Sequence, residues 1–396
     1  MRTAHAAQLT WLIAGTLLAL PQSAWAGDEI RTSGDVNVTG GYSNNPFSET
    51  TSDPGSAEVE INALPKIRLI NEHSVLSLEG LIDYEHFFRR YSDKTDYRGT
   101  LDYAATPTSQ LTVHGKIDYD SAIIGGLETQ FPVDLTQPQP PPTTGPDLAL
   151  FGTQTRRRSL ESAGDVAYAL SAYSTLTANA YYDIERYGGG VSAANYDGYG
   201  GGAGYSRRFS QQLQLGLQAS VGRYVYQGLQ GNAQVYTLQA TGTYTFNSHW
   251  NLDGALGGTY SDRTIGGKTT NVTGHVVLCR KTERTTLCLN AGQSVLPTGV
   301  TGTVATKTAG ASYSYLISEH STLSFSGTYS NNSEPINGNI PGSSYFSTSL
   351  SYDRTLRERV HVVGTVRYRD ITGGIGDRPA DYGGTLGILV KLGDYR

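Results

Sequence analysis

The chain has 396 residues, a net charge of −5 at neutral pH and a hydrophobic fraction of 38%. That fraction is low for a chain of this length to fill one core between two packed layers, and the acidic balance gives no indication of a nucleic-acid partner. The 48 glycines and 27 tyrosines, together with many threonines and serines, favour strands over helices. We therefore expect an all-β protein.

The first 26 residues have the pattern of a secretory signal peptide. Arg2 supplies the positive charge, the stretch from Leu9 to Leu20 is apolar, and Ala24-Trp25-Ala26 has the small-x-small spacing of a cleavage site. The apolar stretch is too short for a stable membrane anchor. We predict export through the general secretory pathway and a mature chain, residues 27–396, that forms a single domain.

A repeated unit runs along the mature chain: a polar turn, alternating apolar and polar residues, then Gly or Ala, then Tyr. Its leading apolar residues lie 35 to 39 apart, with one step of 65. They are Leu76, Leu111, Leu176, Leu213, Leu252, Leu287, Leu323 and Val362. Each step holds two strands of about ten residues, as in transmembrane barrels. The pattern predicts an antiparallel up-and-down β-barrel of about eighteen strands, with sixteen as the alternative.

The alternation assigns two faces to each predicted strand. In the third strand, Leu76 and Leu78 share one face while Glu79 and Asp83 share the other. A charge at every second residue is costly against lipid, so we expect the charged face to line water and the apolar face to contact a bilayer. A soluble β-sandwich or propeller is the alternative. The candidate lumen-lining residues are Glu79, Asp83, Glu85, Asp102, Lys116, Asp118, Asp120, Asp183, Glu185, Arg367, Arg369 and Lys391.

A long proline-rich loop, residues 125–157, interrupts the repeat between the fifth and sixth predicted strands. Its prolines forbid a strand ladder and favour extended backbone. The loop is the third on the outer side, which is the position of the constriction loop of general porins. Two alternatives remain at this point: it folds into the barrel as a plug or lid, or it extends outward.

The two cysteines lie in "LCRKTERTTLCL", a predicted hairpin centred on Glu283-Arg284. Cys279 and Cys288 are equidistant from that centre and so fall opposite each other. Export places them in an oxidising compartment. We predict a disulfide across the hairpin, with two unpaired thiols as the alternative.

The last strand, "TLGILVKL", alternates cleanly. Thr385, Gly387, Val390 and Leu392 fit a polar-x-Gly-x-x-apolar-x-apolar pattern that resembles the signal of the barrel-assembly machinery. A barrel in lipid leaves no strand edge unpaired, so we expect this strand to pair with the first.

Sequence motifs for catalysis are absent by this interpretation. No histidine has a nucleophile convincingly beside it, the Gly-rich stretches open no helix, and no metal-ligand spacing occurs. We predict a protein that is not an enzyme and has neither cofactor nor metal.

Three stretches resemble the outer-membrane β-barrel porins associated with exopolysaccharide secretion clusters: "VTGGYSNNPF" from Val38 to Phe47, "LTVHGKIDYD" and "VVGTVRYRD". The resemblance implies a barrel in the outer membrane of a Gram-negative bacterium that exports a polysaccharide, alongside a periplasmic polysaccharide-export protein. It transfers no functional residue.

We therefore expect a conduit for a secreted polysaccharide. The alternatives are a general or sugar-selective diffusion porin for small solutes and a structural or adhesive surface barrel. The expected partners are outer-membrane lipid and lipopolysaccharide, the barrel-assembly machinery and the polysaccharide, with no nucleic acid.

Overall fold

The computed structural model describes residues 29–50, 55–125, 147–188, 193–228, 231–264, 266–300, 302–333, 342–373 and 378–393. The predicted signal peptide and part of the predicted loop, residues 126–146, lie outside these ranges. The described residues form eighteen strands. The first nine are β1 (Glu29–Ser43), β2 (Ser56–Ile70), β3 (Ser74–Phe87), β4 (Lys94–Thr108), β5 (Leu111–Ile123), β6 (Arg156–Ser171), β7 (Ser174–Gly188), β8 (Tyr196–Arg208) and β9 (Leu213–Tyr226). The others are β10 (Asn232–Thr245), β11 (Trp250–Arg263), β12 (Gly267–Lys281), β13 (Thr285–Thr298), β14 (Gly302–Ser318), β15 (Ser321–Asn332), β16 (Ser343–Arg357), β17 (Val360–Gly373) and β18 (Asp381–Gly393).

Every strand is antiparallel to its neighbours in the chain, and β1 pairs with β18, so the sheet closes into a barrel. The closing seam runs from Ser33 opposite Gly393 to Ser43 opposite Gly383. The predicted strand number and the predicted pairing of the last strand with the first are both confirmed. No helix among the described residues is long and apolar enough to cross a membrane.

Eight tight turns of two to four residues join β2 to β3, β4 to β5, and so on to β16 and β17. We call their side of the barrel the turn end and the other side the loop end. Most of these turns hold a short polar side chain that accepts hydrogen bonds from backbone N–H groups two or three residues further on. These residues are Asn71, Thr108, Ser171, Ser210, Asn247, Thr282 and Ser318. Such local capping explains why the sequence repeat begins with a polar turn.

The two faces of the strands differ as the alternation predicts. Leu78 and Ile82 on β3, Leu256 on β11 and Val366 on β17 belong to an exposed apolar belt on the outside of the barrel. The intervening residues point into the lumen and are mostly polar. One face of each strand is therefore suited to lipid and the other to water.

The disulfide predicted from the hairpin spacing is present. Cys279 on β12 lies directly opposite Cys288 on β13, and their sulfur atoms are bonded. Both side chains belong to the lumen face, and Cys288 is fully buried. The bond joins two strands that are already paired, so it reinforces a local hairpin rather than the closing seam.

Candidate functional site

Residues from three of the connections at the loop end lie inside the lumen. They are residues 44–50 between β1 and β2, residues 147–155 before β6, and the connection between β13 and β14 around Gly299. We call residues 147–155 the crossing segment. It belongs to the proline-rich loop whose direction the sequence left open.

One side of the crossing segment packs on β16 and β17. It contains a single 3-10 turn, Leu148–Leu150. Leu148 and Phe151 are buried against Tyr345 of β16 and Ile371 of β17, and the rings of Phe151 and Tyr345 meet edge to face with centroids 5.6 Å apart. This apolar contact anchors the segment to one wall of the barrel.

The start of the same segment is tied to the opposite wall. The hydroxyl of Tyr187, on β7, donates to Asp147 Oδ2 at 2.7 Å. Asp147 Oδ1 accepts from the Thr298 hydroxyl at 2.7 Å and from the Gly299 N–H at 3.2 Å. In a ring of eighteen strands, β7 and β16 lie nine positions apart, so the crossing segment spans the lumen.

The first loop is held inside the barrel by Asp381 and Arg369. Asp381 is almost fully buried, and its Oδ1 accepts from the Ser43 hydroxyl at 2.5 Å and from the Asn45 N–H at 3.1 Å. Its Oδ2 accepts two hydrogen bonds from Arg369, at 3.0 and 2.8 Å. Arg369 also donates to the carbonyl of Pro46 at 2.9 Å. A paired guanidinium and carboxylate therefore bind β17, β18 and the loop together.

Aromatic rings complete the packing of the first loop. Phe47 is buried between Phe87 and Tyr91, with ring centroids 5.3 and 4.9 Å from its own. Burial and the nearby Glu49 carboxylate raise the pKa of Tyr91 to about 12, and its hydroxyl donates to Glu49 Oε2 at 3.5 Å. Glu49 also accepts a hydrogen bond from Gln154 of the crossing segment at 2.6 Å, so the two inward segments are connected.

We expect Asp381→Asn to lower the free energy of unfolding by about 3–5 kcal/mol, because it leaves the Arg369 guanidinium buried without its counter-charge. The measurement is urea unfolding of the detergent-folded barrel followed by circular dichroism. Lys268→Gln is the control, since Lys268 and Asp262 form an exposed pair 3.8 Å apart whose loss costs little. An equal shift in both variants would contradict the prediction.

The lumen wall from β2 to β7 is rich in carboxylates. His114 bridges two of them, with Nε2 2.9 Å from Asp102 and Nδ1 3.0 Å from Asp165. Asp120 forms ion pairs with Arg98 of β4, at 3.3 Å, and with Arg157 of β6, at 3.5 Å. Ion pairs therefore connect neighbouring strands along the whole height of the wall.

The twelve lumen-lining candidates all occupy strand positions on the face away from the apolar belt. The structure brings them together in small groups. Glu79 contacts Lys66, Lys116 lies 2.6 Å from Asp118, and Arg367 lies 3.2 Å from Glu58. Asp83 and Glu85 belong to one acidic cluster, Asp183 and Glu185 to another. Lys391 lies opposite Asp35 in the closing seam.

Sequence interpretation missed several residues of this region: Glu58, Glu60, Lys94, Asp96, Asp147 and Asp381. The alternation of Glu58 and Glu60 in β2 was a usable signal for the first two. Asp147 carried no such signal, because its partners Tyr187 and Thr298 lie 40 and 151 residues away along the chain.

A glycine-rich strip on β8 flattens the wall beside this acidic region. A Cβ atom at Gly200 would lie 2.3 Å from the Val221 carbonyl oxygen and 2.7 Å from the ring of Tyr181. The absent side chain therefore leaves room for Tyr181 to lie across the strip, where its hydroxyl meets that of Tyr224 at 3.1 Å.

No protein-family model and no curated protein matches the chain. Among solved structures, it is similar to a BenF-like porin from Pseudomonas fluorescens Pf-5, with 10% identity over 92% of this chain and 99% of that one, at a TM-score of 0.50. Pseudomonas aeruginosa OccK2 (OpdF) aligns with 13% identity over 93% of this chain and 100% of that one, at a TM-score of 0.47. OprD of the same organism aligns with 10% identity over 92% of this chain and 96% of that one, at a TM-score of 0.43. At such identities the likeness to the BenF-like porin establishes a common barrel fold.

Proposed function

We propose that this protein is a passive diffusion channel for small hydrophilic solutes in the outer membrane of a Gram-negative bacterium. The crossing segment carries the proposal. It is fixed to β7 at one side and to β16 and β17 at the other, so it divides the lumen at the loop end. A pore narrowed in this way selects solutes by size, whereas a polymer conduit needs an unobstructed lumen.

The charge of the wall favours cations among those solutes. Glu79, Asp102 and Asp165 line the lumen on β3 to β6 with side chains that are 46%, 37% and 51% exposed. Fixed negative charge beside a narrow aqueous path raises the local concentration of cations and disfavours anions. We therefore infer a cation-preferring channel.

Export of a polysaccharide, alongside a periplasmic export protein, is the second candidate. It is implied by the resemblance to exopolysaccharide-associated barrels and stays a prediction, as do the signal peptide, the contact with lipopolysaccharide and recognition of the last strand by the barrel-assembly machinery. The fold shared with the BenF-like porin agrees better with solute diffusion.

Single-channel recording of the purified barrel in planar bilayers tests the proposal. We expect steady conductance and a reversal potential in a KCl gradient that corresponds to cation preference. Absence of conductance, together with loss of surface polysaccharide on gene deletion, would favour the export conduit instead. Steady conductance with a preference for anions would refute the inferred cation preference but not the proposed diffusion function.

A further inference from the structure

The register of β1 to β4 places two rows of polar side chains on the lumen face. Each row has one residue from each strand, directly opposite its neighbours. The first row is Thr39, Glu60, Glu85 and Lys94, and the second is Asn37, Asn62, Asp83 and Asp96. We call these eight residues the polar grid. It holds four carboxylates, two amides and one ammonium group.

Three carboxylates of the polar grid converge. Glu60, Asp83 and Glu85 each offer an oxygen within 4.8 Å of the others. These three residues are 9%, 4% and 0% exposed. Calcium binds oxygen at 2.3–2.6 Å, so two oxygens on the same ion lie at most about 5 Å apart. The spacing of the three carboxylates fits a single ion.

The amides beside them supply an independent observation. Asn62 is fully buried and donates through Nδ2 to Glu60 Oε1 at 2.9 Å. Among the described residues, no donor lies within hydrogen-bond distance of Asn62 Oδ1 or of Asn37 Oδ1, although Asn37 is only 6% exposed. Buried acceptors without a donor are destabilising. Amide oxygens of this kind are good ligands for a hard cation.

Lys94 contacts only one side of the polar grid and so leaves the other side available to a bound cation. Its Nζ lies 2.9 Å from Glu85 Oε1 and 2.9 Å from Asp96 Oδ2, on the β4 side of the grid. Glu85 Oε2 has no hydrogen-bond partner within the described ranges. Arg156 Nη1 lies 3.2 Å from Asp96 Oδ1, so two cations face the four acids of the grid, and buried carboxylates packed this closely repel one another.

We propose that Glu60, Asp83 and Glu85, with the side-chain oxygen of Asn62, bind a hard divalent cation, and that Ca²⁺ fits the site. The ligand set is all oxygen, because the grid contains neither histidine nor cysteine, so it does not suit Zn²⁺ or copper. Bound there, the ion joins β2 to β3 in the barrel wall. Sequence spacing predicted no metal site because the ligands lie on two strands that only the register brings together.

A second acidic cluster provides a matched comparison. Glu161, Asp183 and Glu185 are also mutually close, but Glu161 is exposed and only Glu185 is buried. Arg157 Nε lies 3.9 Å from Glu185 Oε2. Exposure of Glu161 and a nearby guanidinium thus reduce the repulsion in this cluster, while Asp183 Oδ1 and Glu185 Oε2 accept no hydrogen bond among the described residues.

Isothermal titration of the purified, EDTA-treated barrel in detergent with CaCl₂ tests the site. We expect one ion per chain with micromolar to submillimolar affinity. Asp83→Asn weakens binding by at least about tenfold, the loss that even an outer-shell change produces. Asp183→Asn, the same change in the second cluster, leaves the affinity unchanged. Heat-modifiable migration in gel electrophoresis verifies that each variant is folded.

Asn62→Asp keeps the proposal testable where Asp83→Asn fails to fold. It replaces an amide ligand by a carboxylate of equal size, so we expect tighter Ca²⁺ binding. The proposal is overturned if millimolar Ca²⁺ gives no saturable binding, if Asp183→Asn loses as much affinity as Asp83→Asn, or if Asn62→Asp does not tighten binding. These outcomes are independent of whether the barrel conducts solutes.

Discussion

A single methyl group added at Gly387 weakens the closing seam of the barrel, whereas the same addition at Gly40 does not. A Cβ atom at Gly387 would lie 2.4 Å from the Val38 carbonyl oxygen and 2.4 Å from Thr39 Cγ2. Backbone must shift to admit it, at a cost of about 1–3 kcal/mol. At Gly40, one residue further along the same seam, nothing lies within 4 Å of the added atom.

Urea unfolding midpoints of Gly387→Ala and Gly40→Ala, compared with the parent barrel, measure the difference. The more severe double variant, Gly387→Asp with Leu392→Asp, is expected to abolish assembly, because it places a carboxylate in the packed seam and another on the apolar face of β18. Heat-modifiable migration of the membrane fraction detects folded barrel. Normal assembly of the double variant would mean that this strand neither closes the barrel nor carries the assembly signal.

Releasing the crossing segment enlarges the pore. Leu148→Asp with Phe151→Asp puts two carboxylates into the apolar contact with Tyr345 and Ile371. Burying an unpaired carboxylate costs several kcal/mol, so we expect this part of the segment to leave the wall. The barrel itself is held by its strand ladder and stays folded. We expect a severalfold higher single-channel conductance.

Ala149→Asp is the matched control, because it adds a carboxylate at a partly exposed position of the same segment. Its conductance should equal that of the parent. If the double variant also conducts like the parent while remaining folded, the crossing segment does not limit solute passage and the proposed channel function loses its main support.

Periodicity was sufficient to predict most of the fold. Alternation with period two identifies strands, and the polar residue at each tight turn marks where a hairpin reverses, as Asn71 and Asn247 illustrate. The disulfide was predictable for the same reason, because Cys279 and Cys288 are symmetric about their turn. All of these features depend on residues that are close in the chain.

The loop end was not predictable in the same way. Asp147 is hydrogen-bonded to Thr298, 151 residues away in the chain, and Asn45 to Asp381, 336 residues away. No local sequence pattern encodes such pairs. The prolines of the long loop indicate stiffness but not direction. The apolar stretch from Leu148 to Phe151, unusual in a polar loop, was the available signal that this part packs inside.

The locally capped turns also affect the order in which the strands of the barrel can pair during folding. Seventeen of the eighteen strand pairings join neighbours in the chain, and only β1 with β18 joins its two extremes. Each hairpin can form with little loss of chain entropy, since its turn is short, while the seam requires closure of a loop of more than 300 residues. Contact order is therefore highest for the seam, so we expect an open sheet with two unsatisfied edges to precede the finished barrel. We expect closure to be the slowest step, because it requires β1 and β18 to be kept apart from other strands until they meet.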